Sequence, residues 1–577
     1  MVQEGTAFAA PAVMLVEGSA EGPLLFSDTA LSFWGGVDPE TGIVIDHAHA
    51  LHGICLAGAV LAIPGGRGSC TGSAVLLQLI VNGLAPAAMV FSQREDILSL
   101  GVIVAEEVYG RSLPIAVLDP KDFARLEGRK SLCVEKRRVF EPGATPVPGE
   151  EVLGFPDRLT LTERDRELLS SSVPHATSLA MRIVTRMARL DGAERLIDVA
   201  QVHVDGCIYT GPASLDFAEK LAGWGGRVVV PTSLNAISVD QARWREQGTD
   251  PARSQAASAL ADAYLRMGAA PTFTCAPYQL DDAPHRGEDI AWAESNAVVY
   301  ANSVLGARTM KYPDFLDICI ALTGRAPHAG CHIDENRKAQ LVVDVEPMAG
   351  RDDSFWPLLG YQVGQLAPNT IPVLTGLETA APSDDDLKAF GAAFATTSAA
   401  PMFHIVGVTP EAPTFEAATG GATLPILTIS RADLLAVWRS FNPAVGEPVD
   451  LIALGNPHFS ADECRKLAEL CRGRRKHPDV TLTVTASCYT YGKIVESGIA
   501  VELEAFGVTF VRDACWCTVM PPIVPPAARL LLTNSGKYAH YGPGLSGKEV
   551  RFASLAGCVE AAVIGRCPSV PPAWLKG

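Results

Sequence analysis

The chain is short of positive charge and of uninterrupted apolar stretches. Its 577 residues contain 47 Lys and Arg against 64 Asp and Glu, for a formal net charge of −17. This balance argues against a nucleic-acid-binding surface, because phosphate contacts need clustered Lys and Arg. No run of about 18 uncharged apolar residues occurs, and the first residues lack the basic and apolar regions of a signal peptide. We therefore expect a cytoplasmic protein with neither a membrane nor a nucleic-acid partner.

Nucleotide-binding fingerprints are also missing. The glycine-rich segment P-G-G-R-G-S-C-T-G-S at 64–73 lies between an apolar run at 57–63 and a helical pattern at 74–84. Its glycines do not follow G-x-G-x-x-G, and no Gly-Lys-Ser/Thr follows them. A strand, a glycine-rich turn and a helix nevertheless present main-chain N–H groups and a helix N-terminus to an anion. Taken alone, the segment fits a small acid's binding site and a packing turn equally well.

Cysteine is plentiful, with 14 residues at irregular spacing. In a long chain without an export signal these are expected to be reduced thiols, most of them small buried apolar groups. Four lie in segments dense with proline, polar and aromatic residues: Cys275, Cys331, Cys515 and Cys517. Cys-x-Cys is not the spacing of a zinc ribbon. Widely separated cysteines can, however, hold an iron-sulfur cluster and leave one iron open to substrate, so a cluster is possible.

Strand-like and helical patterns alternate along the chain, which predicts an α/β protein with parallel sheets. The segment 141–151 contains three prolines and two glycines and is typical of a linker. We predict an N-terminal domain at 1–140, a linker at 141–155 and a larger region at 156–577, with Thr162 as a helix N-cap. The predicted strands include 12–16, 24–26, 57–63, 87–91, 114–118, 201–204, 226–230, 340–345, 402–406, 449–453, 481–485 and 508–510.

Polar segments follow several of the predicted strands. Ligands gather at the carboxyl ends of strands in such sheets, and there lie 203–206, 231–235, 455–458 and 513–517. A further group of polar residues interrupts an otherwise apolar helical pattern at 288–303, and it comprises Glu294, Ser295, Asn296, Asn302 and Ser303. Buried polar side chains need partners. These residues therefore line a polar pocket or join two domains.

Three of these segments resemble a known family. The run I-A-W-A-E-S-N-A-V-V-Y-A-N-S-V-L-G-A-R-T at 290–309, L-G-N-P-H at 454–458 and D-A-C-W-C at 513–517 look like the catalytic region of the aconitase X family. The G-R-G-S at 66–69 resembles that family's swivelling domain, which elsewhere is a separate small subunit. The resemblance covers nearly the whole chain. It implies an α/β fold in which an N-terminal swivelling domain is fused to a larger, multi-subdomain aconitase-like catalytic region.

The resemblance also implies the chemistry, namely a hydro-lyase that uses an iron-sulfur cluster to remove water from a small hydroxy acid, here as a monomer. Single-chain members act on cis-3-hydroxy-L-proline, giving Δ1-pyrroline-2-carboxylate, and two-subunit members act on mevalonate 5-phosphate. The fused chain favours the first branch. So does Asn456, because the two-subunit branch usually has a cysteine there, and [2Fe-2S] is then favoured over [3Fe-4S] or [4Fe-4S]. A non-enzymatic α/β binding protein with structural cysteines is the alternative of another class.

Residue roles follow from the same resemblance. Ser69 matches the family's serine base, and Cys275 and Cys515 match its cluster ligands, with Cys331 or Cys517 as the third. A serine hydroxyl is a poor base unless its alkoxide is stabilised, which a cradle of N–H groups and Arg67 could do. The residues expected to contact substrate are Arg67, Gly68, Thr71, Ser295, Asn296, Lys537 and Tyr538.

Overall fold

A computed structural model describes residues 7–47, 49–67, 69–144 and 157–576. Gly68 and most of the predicted linker, 145–155, lie outside these described residues. Within them, no helix is both long and apolar enough to cross a bilayer.

The N-terminal part is built on one mixed sheet. Its strands follow the order β1-β8-β7-β3-β4-β5-β6-β2, and β3 to β6 run parallel in the centre with antiparallel strands outside them. Helices α1 and α2 approach so closely that a β-carbon on Gly101 would lie 2.6 Å from the Ser73 carbonyl oxygen. The elements are β1 Ala9–Pro11, β2 Val13–Val16, β3 Ala20–Phe26, β4 Val60–Ala62, α1 Gly72–Asn82, β5 Ala88–Phe91, α2 Ile97–Tyr109, β6 Ile115–Val117, α3 Pro120–Ala124, β7 Ser131–Glu135 and β8 Arg138–Phe140.

The second part has a small parallel sheet of order β11-β10-β12 and an antiparallel pair β13-β9. Thr162 caps its first helix, as predicted, accepting the Asp165 N–H at 3.2 Å. The elements are α4 Glu163–Leu168, α5 His175–Leu190, β9 Leu196–Asp198, β10 Val202–Val204, α6 Pro212–Gly223, β11 Thr232–Leu234, α7 Trp244–Gln247, α8 Pro251–Arg266, β12 Ala291–Trp292, α9 Ser295–Tyr300, a π-helical turn Ala301–Leu305, α10 Leu316–Thr323 and β13 Arg325–Pro327.

The third part carries a parallel sheet of order β16-β15-β14-β17. Helices α11 and α12 pack on each other along one side of the part, and aromatic side chains fill its core. The elements are β14 Leu341–Val345, α11 Phe355–Leu366, β15 Pro372–Thr375, α12 Asp384–Thr397, β16 His404–Ile405, α13 Phe415–Thr419, β17 Ile426–Ile429 and α14 Arg431–Phe441.

The fourth part carries a parallel sheet of order β20-β19-β18-β21-β22. Its central strand β18 is buried along its whole length, which matches its continuous apolar sequence. The elements are β18 Leu451–Leu454, α15 Ala461–Cys471, β19 Thr481–Ala486, α16 Cys488–Glu496, α17 Ile499–Phe506, β20 Val508–Arg512, β21 Leu530–Thr533, α18 Gly536–Ser546, β22 Glu549–Phe552 and α19 Leu555–Ile564.

The α/β class and the parallel sheets are confirmed, but two local predictions are wrong. Residues 226–230 are not a strand, because the Val228 and Val229 N–H groups donate to the Met267 and Ala321 carbonyls near the ends of α8 and α10. The strand comes later, at β11. The polar stretch at 288–303 is not one helix either, since Ala291 and Trp292 pair with β10 before α9 begins.

Candidate active site

Loops from different parts of the chain meet at the carboxyl ends of β10, β11, β18 and β20. The Asn235 side-chain amide, just after β11, donates to the Asp205 carboxylate after β10. The Ile237 N–H donates to the Asp513 carbonyl at 2.8 Å, and the Cys515 N–H returns a bond to Ile237 at 3.2 Å. The second and fourth parts are therefore joined at the edge where the sequence predicts ligands to gather.

Three thiols share one buried cluster at this junction: Cys275, Cys515 and Cys517. Trp34 of the N-terminal part packs against them. A hydrogen bond from Cys515 lowers the pKa of Cys517 to about 7, whereas burial raises the pKa of Cys275 to about 12. Within the described ranges, no three His, Cys, Asp or Glu side chains lie close enough together to hold a single metal ion. An all-sulfur donor set in an apolar pocket suits an iron-sulfur cluster, which spreads its thiolates over more than one iron.

Unusual backbone conformations shape the loops that carry these groups. Gly455 has φ +98°, and a β-carbon there would lie 2.2 Å from the Thr485 carbonyl oxygen, so glycine is required directly before Asn456. Asp513 is a non-glycine residue at φ 64°, a conformation that costs about 1–3 kcal/mol. Its carboxylate accepts the Cys488 N–H at 2.6 Å, which helps to hold it there. These two turns set the paths of the loops after β18 and β20, and the second of these loops carries Cys515 and Cys517.

A buried ion pair lies next to the thiols. Lys537 Nζ is 2.7 Å from Glu294 Oε1, and the two side chains are 13% and 6% exposed. Burial alone would raise the pKa of Glu294 and lower that of Lys537, but the mutual attraction reverses both shifts. Asn296 donates to the Cys275 carbonyl at 2.9 Å and accepts the Tyr278 hydroxyl at 2.8 Å. Its amide is thus occupied in fixing the Cys275 segment.

The glycine-rich segment faces the same region from the N-terminal part. The Ser69 hydroxyl donates to Thr71 Oγ1 at 3.0 Å and accepts the Thr71 N–H at 3.2 Å. Arg67 pairs with Asp46 at 3.0 Å and lines a cleft of about 430 Å³ that also touches Tyr361 of the third part. His540 and Tyr541 of α18 complete the wall of this cleft.

Three buried carboxyl groups lie beneath this segment: Asp205, which belongs to the predicted ligand segment 203–206, and Asp314 and Asp317, which carry no sequence signal of a site. The Asp314 N–H donates to the Cys70 carbonyl at 3.3 Å. Burial raises the pKa of Asp205 to about 7 and that of Asp317 to about 6, and it raises the pKa of Asp314 well above the usual range. Neither Asp314 oxygen has a partner of hydrogen-bond geometry among the described residues, although the Thr71 hydroxyl and the Asp205 carboxyl act on its pKa.

Lys311 is a second group without a sequence signal. It donates to the Ser398 carbonyl at 2.8 Å, and burial lowers its pKa to about 8. The charges of Glu294 and Lys537 also act on this pKa, which places Lys311 near the ion pair. A lysine inside a mostly apolar stretch was the only available hint.

Two of the predicted site residues lie away from the cleft. Cys331 belongs to a different apolar cluster, with its sulfur 3.9 Å from that of Met402, because the 3₁₀ turn Gly330–His332 holds it against the third part. We therefore leave Cys331 out of the ligand set. Tyr538 is 1% exposed and packs against Trp516, so its ring supports the cysteine loop from behind. Ser295 is buried at the first position of α9.

The fold and the site together define a class of protein. Several α/β sheets lie in one chain with a buried thiol cluster, and Trp34 of the N-terminal part packs against that cluster, an arrangement that fits a hydro-lyase of the aconitase type. Family models match along the chain: the aconitase X swivel domain at 10–140, the first domain at 158–335, the second at 339–439 and the third at 449–564. The chain belongs to the aconitase X family.

Relatives with named activities agree with this class. A cis-3-hydroxy-L-proline dehydratase from Hypocrea jecorina is 54% identical over 97% of this chain and 96% of its own length. The large subunit of a phosphomevalonate dehydratase from Methanothermobacter thermautotrophicus is 34% identical over 68% of this chain and 96% of its own. The holo-form of Thermococcus kodakaraensis aconitase X superposes with a TM-score of 0.63 at 31% identity, covering 70% of this chain and all of that one. The protein is therefore a dehydratase, as expected, and the alternative of a non-enzymatic binding protein is wrong.

Proposed function

We propose that this protein dehydrates cis-3-hydroxy-L-proline to Δ1-pyrroline-2-carboxylate. The observation that carries the proposal is the match along almost the full length, swivel domain included, to a dehydratase of that substrate. The relative that acts on phosphomevalonate matches only about two thirds of this chain. A phosphate also needs more fixed positive charge than a carboxylate does. Around the site Arg67 already pairs with Asp46 and Lys537 with Glu294, so much of the positive charge is neutralised before a substrate binds.

The cofactor that we propose is an iron-sulfur cluster held by Cys275, Cys515 and Cys517. The shared burial of the three sulfurs supports this ligand set. A [2Fe-2S] cluster is preferred to [3Fe-4S] or [4Fe-4S], since the nearby position 456 offers an amide, 3.4 Å from Cys517 Sγ, and not a fourth thiol. When bound, such a cluster supplies Lewis acidity that assists departure of a hydroxyl group.

Ser69 is the proposed base for the proton on the carbon that bears the carboxylate. To act in this way the serine must pass on its own hydroxyl proton. Its hydroxyl already points that proton at Thr71 Oγ1, 3.0 Å away. Thr71 in turn lies near Asp314, because its hydroxyl and the Asp205 carboxyl both act on the pKa of Asp314. The pKa of Asp205 itself is about 7. A carboxyl pair of this kind can take up a proton near neutral pH.

Cations on both sides of the cleft would hold the substrate carboxylate. Arg67 approaches from the N-terminal part, and Lys311 and Lys537 lie near the thiols. Closure of the N-terminal part over this pocket would exclude water and bring the reacting atoms together. Because every one of these groups comes from one chain, we propose that a monomer is the active form. A cytoplasmic location would keep the thiols reduced.

The substrate is tested with cluster-loaded protein purified without air. With cis-3-hydroxy-L-proline, the expected product forms an adduct with o-aminobenzaldehyde that is measured by absorbance. Mevalonate 5-phosphate and the other hydroxyproline isomers are the comparison substrates. Turnover of mevalonate 5-phosphate without any adduct from cis-3-hydroxy-L-proline would overturn the assignment.

The base is tested with Ser69→Ala. We expect turnover to fall about 10²- to 10⁴-fold, the usual range for loss of a general base, and exchange of the α-proton with solvent deuterium to stop. Iron content and fold should be kept. Ser73→Ala is the control, because the Ser73 hydroxyl lies four residues further along the same segment and bonds, among the described residues, to main-chain carbonyls of Cys70 and Asp314. Wild-type exchange in Ser69→Ala would assign the base to another residue.

A further inference from the structure

The loop after β18 touches the segments that carry the three site thiols. The Asn456 amide lies 3.4 Å from Cys517 Sγ, and the His458 main-chain N–H donates to Cys275 Sγ at 3.1 Å. Trp516, between the two cysteines of the other loop, donates from its indole nitrogen to the Leu454 carbonyl at 2.6 Å. Cys275 and Cys515 are 240 residues apart in sequence, so this loop is a physical link between their segments.

His458 makes the central contacts of that loop. It is fully buried, and its Nε2 lies 3.0 Å from the carbonyl oxygen of Ala514, the residue directly before Cys515. Since a carbonyl only accepts, Nε2 must carry the hydrogen. Nδ1 has no partner among the described residues. One residue therefore donates to a thiol through its main chain and to the neighbouring cysteine loop through its ring.

A buried lysine holds His458 from the opposite side. Lys388 of α12 donates to the His458 carbonyl at 3.3 Å and is 3% exposed. It forms ion pairs with Asp385, at 3.1 Å, and with Glu463. The N–H, the carbonyl and the ring of His458 are thus all fixed, and the loop cannot shift without breaking one of these bonds.

We propose that His458 is a positioning residue that sets the separation of the Cys275 and Cys515 sulfurs and so decides how firmly the iron is held. The inference rests on the proposed cluster function. A ring bond to Ala514 fixes where the second cysteine loop begins, and an N–H bond to Cys275 acts directly on a ligand sulfur. Partners that orient metal ligands in this way commonly change metal affinity about 10- to 100-fold when they are removed.

The test compares His458→Leu with His458→Gln in the full-length, cluster-loaded protein. Leucine removes the donor, whereas a glutamine amide can reach the Ala514 carbonyl. The control is His404→Leu. His404 is also buried, its Nε2 lies 2.7 Å from the Arg337 carbonyl, and its Nδ1 is unpartnered in the described chain, but it lies on β16 of the third part. Iron release to a chelator, visible circular dichroism and thermal unfolding are measured for all of them.

We expect His458→Leu to release iron about 10- to 100-fold faster than wild type, with an altered visible spectrum. Its unfolding temperature should fall no more than that of His404→Leu, and His458→Gln should restore both the release rate and the spectrum. Wild-type release and spectrum in His458→Leu, or equal iron loss in His404→Leu, would overturn the proposal.

A metal-free measurement separates this inference from the cluster proposal. Phenylarsine oxide bridges closely spaced thiols, so in iron-free protein that carries Cys517→Ala as a common background its affinity reports the spacing of Cys275 and Cys515. His458→Leu should bind it more weakly than wild type and His404→Leu. If the wild-type protein holds no iron but this difference is found, the cluster proposal fails and the positioning role stands. If the three proteins bind the arsenical equally, the positioning role fails.

Discussion

Two clusters of buried ionisable groups flank the thiol pocket, and they are balanced differently. On the β18 side, Lys388 is enclosed by the carboxylates of Asp385 and Glu463. On the Ser69 side, Asp205, Asp314 and Asp317 are enclosed with no cation paired to them in the described chain. Burial would lower the pKa of Lys388, but its carboxylates raise it above the usual range. Burial raises the pKa of Asp205 to about 7.

The Lys388 cluster is suited to stabilising the fold, and the acidic cluster is suited to binding and releasing protons. In the first cluster Asp385 and Glu463 share the ammonium group of Lys388. Burial raises the pKa of Glu463 to about 7. At Asp385 the attraction to Lys388 outweighs burial and holds the pKa below its usual range. The Lys388 ammonium therefore stays charged through neutral pH. In the second cluster neighbouring carboxylates repel one another, and protons are the available compensation. Perturbed pKa values of this kind favour catalytic positions.

The largest expected effect comes from Asp314→Asn. Asparagine keeps the shape of the protonated acid, but it has no acidic proton to pass to the Asp205 carboxylate when the proposed relay delivers one through Thr71. We expect turnover to fall by at least about 10²-fold, with iron content and unfolding temperature close to wild type. Steady-state assay and solvent-deuterium exchange measure this. Wild-type turnover and exchange would make the acidic cluster purely structural and remove the contrast.

Next in size is the effect of Lys388→Met on stability. Removing the ammonium leaves two carboxyls buried without a cation, and breaking a buried pair costs about 3–5 kcal/mol. Urea denaturation at neutral pH measures the free energy of unfolding. Arg465→Met is the control, because Arg465 pairs with Asp462 at the surface, where the side chains are 50% and 69% exposed. That exposed pair should contribute little to the free energy of unfolding, because solvent screens it. Equal losses in the two variants would contradict a structural role for Lys388.

Some segments of the candidate site carry local signals in the sequence, although the roles proposed for Ser69, Cys275 and Cys515 come from the family resemblance. Cys515 and Cys517 stand in a short motif after a strand, and Ser69 follows a glycine-rich turn. These features are visible in a window of ten residues. The α/β alternation predicted the parallel sheets for the same reason, since periodicity is local.

The rest of the site is created by packing between distant elements. Asp314 lies in Y-P-D-F-L-D at 312–317, a segment with no distinctive spacing. Its pKa becomes unusual only because the fold buries it next to the Cys70 segment. Cys331 looks as suitable a ligand as Cys275 in its own segment, and only the 3₁₀ turn Gly330–His332 directs it elsewhere. Lys388 is an ordinary helix residue until His458 and Glu463 enclose it. No local sequence pattern predicts these contacts, because they form between residues that are far apart in the chain.

The smallest expected effect is a pH dependence of stability that comes from Asp205 in the acidic cluster. The pKa of Asp205 rises from 3.8 to about 7 on folding. The folded chain therefore binds this proton more tightly than the unfolded chain does. Stability from Asp205 is complete below about pH 4 and is lost as pH rises towards 7. The groups that act on it are Glu294, Asp317, Asn235 and Lys537.

Asp205→Asn should remove that loss, because an amide does not titrate and its oxygen can still accept the Asn235 amide. Relative to wild type, the variant's free energy of unfolding should rise steadily between pH 4 and pH 8. A gain of about 1–3 kcal/mol is expected, below the full value of three pKa steps at about 1.4 kcal/mol each, since Asp314 can take over part of the proton binding. Asp479→Asn is the control, because that side chain is 88% exposed and its variant should track wild type at every pH. Urea denaturation at a series of pH values measures both. A constant offset between Asp205→Asn and wild type would mean that Asp205 does not change its protonation on folding, which would contradict proton uptake by the acidic cluster.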